Sequence, residues 1–326
     1  MSSLRILRCG GLGLLLTLMT AMQAANAAYP DRPLRFVVPA AAGGGADTTV
    51  RILTQALSQR LGQPIVVDNK PGAAGSIGLD AIAKSAPDGY TIGTNNLSNF
   101  TVASLVAKKL PYSPARDFTP IAMVATQPYL LGVTPGLPVK SVKELVSHAK
   151  ANPGKIFYGS SGNGSSLHVL TELFRATVGI EATHVPYKSI VAAEMDLMAG
   201  QIHMLIDNFS TMAPNVEGGK VRALATTGPK RTAQLPNVPT LAELGIAGVE
   251  AVAWSGVVGP ANLPAEVVKK LNAEINAVLA DPKVQKQFAD IASDVSPMSP
   301  SEFTQYMKAQ DAKWGAVVRR GNITAD

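Results

Sequence analysis

Past its first 27 residues the sequence contains no cysteine; the only one, Cys9, precedes an apolar stretch at the N-terminus. Disulfides and cysteine-based metal sites are therefore excluded from the rest, and Cys9 stands ahead of that stretch, where a lipid-attachment cysteine could not be. Histidine is scarce, four in 326 residues, and no His-Glu-x-x-His occurs, so neither a metal centre nor a metal cofactor is expected. Aromatic residues make up 5% of the chain, and its lysines and arginines are dispersed. That removes the usual footprint of a nucleic-acid binder. Gly-x-x-x-x-Gly-Lys-[Ser/Thr], the phosphate loop, is missing as well. Beyond residue 27 no apolar run is long enough for a membrane-spanning helix. No repeat of fixed period and no low-complexity segment occurs.

The N-terminus has its own grammar. Arg5 and Arg8 give a positive start, "GLGLLLTLMTAM" an apolar centre, and Ala25-Asn26-Ala27 a small-x-small cleavage pattern. Residues 1–27 are expected to be a cleaved secretory signal peptide, leaving a soluble mature chain outside the cytoplasm. Losing Arg5 and Arg8, and no acid, lowers the formal net charge from +6 to +4. A mild attraction for small anions is all this implies. With 46% hydrophobic and 16% charged residues, the composition is that of a globular protein long enough for two domains.

From Leu34 onward strand-like and helix-like segments alternate, which predicts an α/β fold with parallel pairing and right-handed crossovers. "LRFVVPA" reads as a buried strand. Asp47 is expected to cap a helix that buries Val50, Leu53 and Leu57 and stops at Gly62. Strand "PIVVDN", helix "SIGLDAIAKSA" and strand "YTIGTNN" follow. A long apolar stretch interrupted at Pro128 leads to a second alternation: a helix with a Ser141/Glu144 capping box, strand "KIFYGSS", helix "SLHVLTELFRATVG" and further pairs. A second such stretch, "VEAVAWSGVVGP", leads into C-terminal helices that start at Asp281-Pro282 and Ser299-Pro300. Two units joined by two crossing strands, near Ala125–Gln127 and Val252–Ser255, form a hinge with a cleft. The expected division is residues 28–125 plus 254–326 as one domain and 126–253 as the other.

Two Gly-rich loops stand where strands run into helices, the place where open α/β sheets bind ligands. One carries Gly43, Gly44 and Gly45 before Asp47. The other, "SSGNGSS", carries Gly162 and Gly164 among Ser160, Ser161, Ser165 and Ser166. Glycine admits close approach and unusual dihedrals, and a helix N-terminus presents unpaired N–H groups, so both loops suit a small anionic or polar ligand. Tight turns alone would give the same composition. A dinucleotide fingerprint fails because Leu167 holds the last glycine position, and a Gly-x-Ser-x-Gly elbow fails because Asn163 does. His168 is placed behind the second loop, bonding its backbone. Asp207, Asn208, Asn95 and Asn99 also follow strand ends, where either ligand contact or turn capping would suit them. The competing class is an enzyme, a hydrolase using the second loop's serines, but no motif fixes a nucleophile or its base.

In order and spacing, "YPDRPLRFVVP", "GGGAD", "LGQPIVVDNKPGAAGSIG", "SAPDGYTIGTNN", "YGSSGNGSSLH", "HVPYK", "GQIHMLIDN" and "LPNVPTLAELG" resemble the periplasmic solute-binding receptors of the tripartite tricarboxylate transporter family, the Bug receptors. The resemblance implies a two-domain periplasmic-binding-protein fold of the Venus-flytrap type II kind, a small carboxylated ligand and no catalysis, with no cofactor. It also implies a monomer in the periplasm serving membrane transporter subunits or a sensor. In such receptors the two loops grip a carboxylate. Here they match Pro39 to Asp47, including Ala40 and Ala41, and Ser160 to Ser166, with Tyr187 nearby in "HVPYK". The chain departs from the pattern at Ala40 and Ala42, where an aromatic and a proline are usual, and at Ser189, where glycine is usual.

Overall fold

The computed structural model describes residues 29–321 and 323–324, so the expected signal peptide and Cys9 lie outside the described residues. From Arg32 on, the chain forms one compact unit in which two sheets share a strand. Strand β1 (Leu34–Val38) pairs in parallel with β2 (Ile65–Asn69) on one side and β3 (Thr91–Asn96) on the other. Phe36, Val37 and Val38 are fully buried, as a continuous apolar strand flanked by helices on both faces should be. The crossover helix α1 (Gly45–Leu61) buries Val50, Leu53 and Leu57, and Gly62 ends it with φ 67°. α2 (Ser76–Ala83) returns the chain to β3. An unforeseen π-helical turn, Leu97–Val102, follows β3 directly and runs into the short α3 (Ala103–Val106). Its cap is reciprocal: Asn99 N–H donates to Asn96 Oδ1 at 3.0 Å and Asn96 N–H to Asn99 Oδ1 at 2.9 Å.

Strand β4 (Phe118–Val133) links the two sheets. Residues 118–128 pair with β9 (Val252–Pro260), which also pairs with β3; from Tyr129 onward the partners are β7 (Met204–Asn208) and β8 (Arg222–Thr226). Pro128, where the sequence reads as interrupted, lies within one continuous strand. It sits where the partners change, a position that has no need of its missing N–H. In the second sheet β5 (Phe157–Ser160) pairs in parallel with β6 (Thr183–Pro186) and β7, with α5 (Ser166–Val178) and α6 (Ile190–Met198) as crossovers.

Helix α4 (Val142–Ala151) precedes β5. Ser141 Oγ accepts from Glu144 N–H at 3.2 Å as expected, but Glu144 accepts from Lys140 N–H rather than closing the box on Ser141. α7 (Phe209–Glu217) follows β7, and α8 (Ala265–Leu279) packs on α1. α9 (Pro282–Asp290) leads to β10 (Asp294–Val295), which pairs with β4. The long α10 (Pro300–Gly321) is capped at Ser299 by a complete box with Glu302 and packs on β4 and α5. Its Phe303 rests on Gly256, where no Cβ would fit, and Trp254 meets Phe303 and Tyr306 edge to face, each at 5.9 Å. No helix among the described residues is long and apolar enough to cross a membrane.

Candidate functional site

A cleft of about 760 Å³ opens between the carboxyl ends of the two sheets. Its first wall is the turn after β1. Pro39, Ala40, Ala41 and Gly44 line it, and Gly43 takes φ 81° behind them. The N-cap of α1 is Gly44, with no side-chain cap, and the first helical bond runs from Thr48 N–H to Gly44 O at 3.0 Å. The amides of Gly45 and Ala46, both lining residues, precede that bond and form the positive end of the helix dipole.

Asp47 is not the cap. It lies in the first turn, 3% exposed and outside the cleft lining, because its carboxylate is taken. It accepts from Gly43 N–H at 2.9 Å, Arg51 Nε at 2.8 Å and Asn69 Nδ2 at 2.9 Å. Burial opposes its ionisation, but these bonds, with the Arg51 charge, hold its carboxyl below the usual carboxylate range. Asp47 braces the loop.

The second wall is the turn after β5. Ser161, Gly162, Asn163, Gly164 and Ser166 line it. Gly162 at φ 113° and Gly164 at φ 69° are required by conformation. Their amides, expected to face a ligand, turn inward: Gly162 N–H donates to Ser160 Oγ at 3.1 Å and Gly164 N–H to His168 Nδ1 at 3.1 Å. Ser160 is fully buried and Ser165 nearly so; Ser165 Oγ accepts from His168 N–H as the α5 cap. These serines and His168 therefore stand behind the wall and hold its shape.

Beneath the loop the rings of His168 and His184 stack at 4.0 Å, and Tyr158 stacks on His184 at 4.9 Å. Ser160 Oγ lies 2.7 Å from His184 Nε2, a pairing that resembles a nucleophile and its base. No substrate could reach that hydroxyl, and burial, then the neighbouring His168, push His184 down to about 4.

Of the remaining candidates, Asn99, Tyr187 and Asn208 line the cleft, whereas Asn95 and Asp207 do not. Both of the latter are fully buried: Asn95 Nδ2 contacts Met307 Sδ, and Asp207 accepts from Asn208 N–H and Thr211 Oγ1. Burial, and then the charge of Asp207, push Glu194 up, so Glu194 shares the pocket behind β7 as a protonated acid. Tyr187 donates its hydroxyl to Asp196 at 2.6 Å.

The walls also meet directly. Ser166 N–H donates to Ser98 Oγ at 3.2 Å, and a Cβ on Gly45 would come within 3.0 Å of Ser210 Oγ and 3.6 Å of Asn208 Cβ.

Sequence reasoning missed a third loop. Pro71-Gly72-Ala73-Ala74-Gly75-Ser76 follows β2 and lines the cleft, with Ala73 and Ala74 at positive φ. The signal was present, since it repeats the pattern of strand, small residues, helix. The floor, Gln127, Tyr129 and Trp254 on the crossing strands, carried no such mark. Among all lining residues the only charged side chains are Lys109 and Lys188; none is Asp, Glu, Arg or His. Among the described residues no cluster of His, Cys, Asp and Glu is placed to hold a metal.

A two-lobed α/β fold with a donor-lined, acid-free cleft defines a solute-binding receptor. The sequence profile of the tripartite tricarboxylate transporter family receptor (TctC) matches residues 49–323, and the chain belongs to that family. BugT of Bordetella pertussis is 35% identical over 292 residues, 89% of this chain and 90% of its own. Among solved structures, Rpa4515 of R. palustris with adipate has a TM-score of 0.88 at 37% identity, over 91% of this chain and 99% of that one. MatC of Rhodopseudomonas palustris with bound malate has a TM-score of 0.83 at 30% identity, over 89% of this chain and 100% of that one. The family is one of receptors, and the periplasmic binding protein BugD, 32% identical over 91% of this chain and 99% of its own, has a TM-score of 0.86.

Proposed function

We propose that this chain captures a small carboxylated organic compound in the cleft and delivers it to a tripartite tricarboxylate-type transporter in the membrane. The charge inventory of the cleft carries the reading: a helix N-terminus and two lysines line it, and no acid opposes them. The carboxylate sits against the Gly44–Ala46 amides and is met from the other wall by the hydroxyls of Ser161 and Ser166. The relatives solved with adipate and malate support the same ligand class. The two lobes are residues 28–125 with 254–326 and residues 126–253, and they close on the ligand about β4 and the start of β9. Residues 1–27 direct the chain to the periplasm, where it works as a monomer. The test is a panel of carboxylates screened for thermal stabilisation, followed by calorimetric titration and analysis of the recovered compound. One-to-one binding with the compound unchanged is expected; turnover, or indifference to every carboxylate, would refute the proposal.

A further inference from the structure

We propose that Gln127 is a positioning residue for closure: it clasps the α9–β10 turn of the first lobe to the start of α7 in the second, and so sets how long a ligand is held. The inference rests on the closing cleft proposed above and adds the residue that keeps it shut. Gln127 lies on β4 just before the strand changes partners, and it lines the cleft although it is only 7% exposed. A carboxamide offers two N–H donors and two acceptor lone pairs. Gln127 uses them all. Its Nε2 donates to Ile291 O at 2.6 Å and Ser293 Oγ at 2.9 Å, and its Oε1 accepts from Ser210 Oγ at 3.0 Å and Ser210 N–H at 3.4 Å. The amide cannot be turned the other way, because Ile291 O can only accept and Ser210 N–H can only donate. No bonding capacity is left for a ligand, so this side chain serves the lobes.

Each end of the bridge meets a helix terminus. Ile291 ends α9, and its carbonyl, which has no partner within the helix, receives Gln127 Nε2. α7 starts from Asn208, whose side chain provides no cap, so Gln127 Oε1 takes the first-turn N–H of Ser210 instead. Around Gln127 the same part of the first lobe meets the second lobe again. Gln234 Nε2 donates to Ala289 O, Lys230 pairs with Asp294 at 3.4 Å, and Ala292 packs against the apolar cluster that holds Phe209 and Met212 of α7. The lysine pair is exposed at both ends and adds little. Ala292 takes φ 49°, a conformation that an alanine keeps only where its surroundings enforce it. Gln127 and Ser293 both line the cleft, so parting its walls draws Ser210 away from Ser293, and one side chain cannot follow both.

The test compares the parent with Gln127→Met, which keeps the side chain's length and removes its amide, and with Ser210→Ala, which removes one hydroxyl. Spin labels at Lys108→Cys and Met195→Cys, exposed positions in the two lobes, report the cross-lobe distance by pulsed electron resonance; residues 28–326 contain no other cysteine. Stopped-flow tryptophan fluorescence with adipate as the probe gives association and dissociation rates. Gln127→Met should lose the shorter of the parent's ligand-free distances and release adipate about tenfold faster, with association changed by under about twofold. Ser210→Ala should act in the same direction by about threefold, and the double variant should lose no more than Gln127→Met, since both break one bond. If Gln127→Met does not fold, Ser210→Ala decides by the same readings. A glutamine with a merely structural role would lower the urea midpoint and leave distances and rates alone. That outcome, or a loss confined to association, would overturn the clasp while leaving the carboxylate reading intact. Where the parent does not bind adipate, the ligand-free distances decide alone: loss of the shorter distance upholds the clasp, and a distribution like the parent's overturns it.

Discussion

Replacing Asp47 by Asn tests whether the first loop is held by its brace or by its glycines. Three donors converge on the two carboxylate oxygens, from Gly43, Arg51 and Asn69. An asparagine keeps one acceptor oxygen and turns its amide on the donors at the other. Asn69 cannot reorient to relieve this, since its own groups already serve Ala40 O and Arg51. The Arg51 side chain is 54% exposed, so its ion pair with Asp47 is screened by water and adds little. Hydrogen bonds to a buried charge contribute about 1.5–3 kcal/mol, and one or two of them are lost. Urea unfolding should therefore show Asp47→Asn less stable by about 2 kcal/mol, with Arg51→Gln changing the midpoint far less. With the oxygen kept toward Gly43 and Arg51, the amide faces Asn69 and the loop loses its tie to β2, so affinity for a bound carboxylate should fall about tenfold, read by calorimetry. An Asn variant as stable as the parent and equally tight would refute the brace.

Gly164→Val should abolish binding while the fold survives, because φ 69° resists a β-branched side chain and the added methyls enter the cleft; unchanged titration curves would mean the site lies elsewhere. Gly45→Val places a side chain against Ser210 and Asn208 across the cleft, so it should hold the lobes apart and weaken binding. X-ray scattering should then show no ligand-induced compaction, and a variant that compacts like the parent would count against a closing cleft. Glu194 is held protonated, its folded pKa raised to about 8 from 4.5, so its contribution to stability is complete in acid and is lost as pH rises through about 8. Glu194→Gln stays neutral and should gain on the parent between pH 5 and pH 8 in urea midpoints; parallel pH profiles would contradict the assignment.

The alternation of strands and helices, the stop at Gly62 and the caps at Asp281 and Ser299 were legible because each depends on residues close in sequence. So was the position of the two loops. What their groups face was not legible, since that is set by residues far away in the chain. Gly162 and Gly164 looked like ligand donors, yet Ser160 and His168 take their amides. Asp47 looked like a cap with a spare oxygen until Asn69 arrived from β2 to fill it. Trp254 and Tyr129 reach the floor only because β4 and β9 pair across the junction of the two sheets, a register no local pattern announces. The π-helical turn was hidden too, because Asn96 and Asn99 suit a turn and a cap equally well.

The central claim is that one carboxylate is held between the α1 N-terminus and the serine-bearing second loop. A crystal structure of the carboxylate complex tests it most directly. Its carboxylate oxygens should lie about 3 Å from the amides of the Gly44–Ala46 segment and from Ser161 or Ser166 Oγ. A ligand bound outside this cleft, or one whose carboxylate touches a single wall while the other stays open, would contradict the claim.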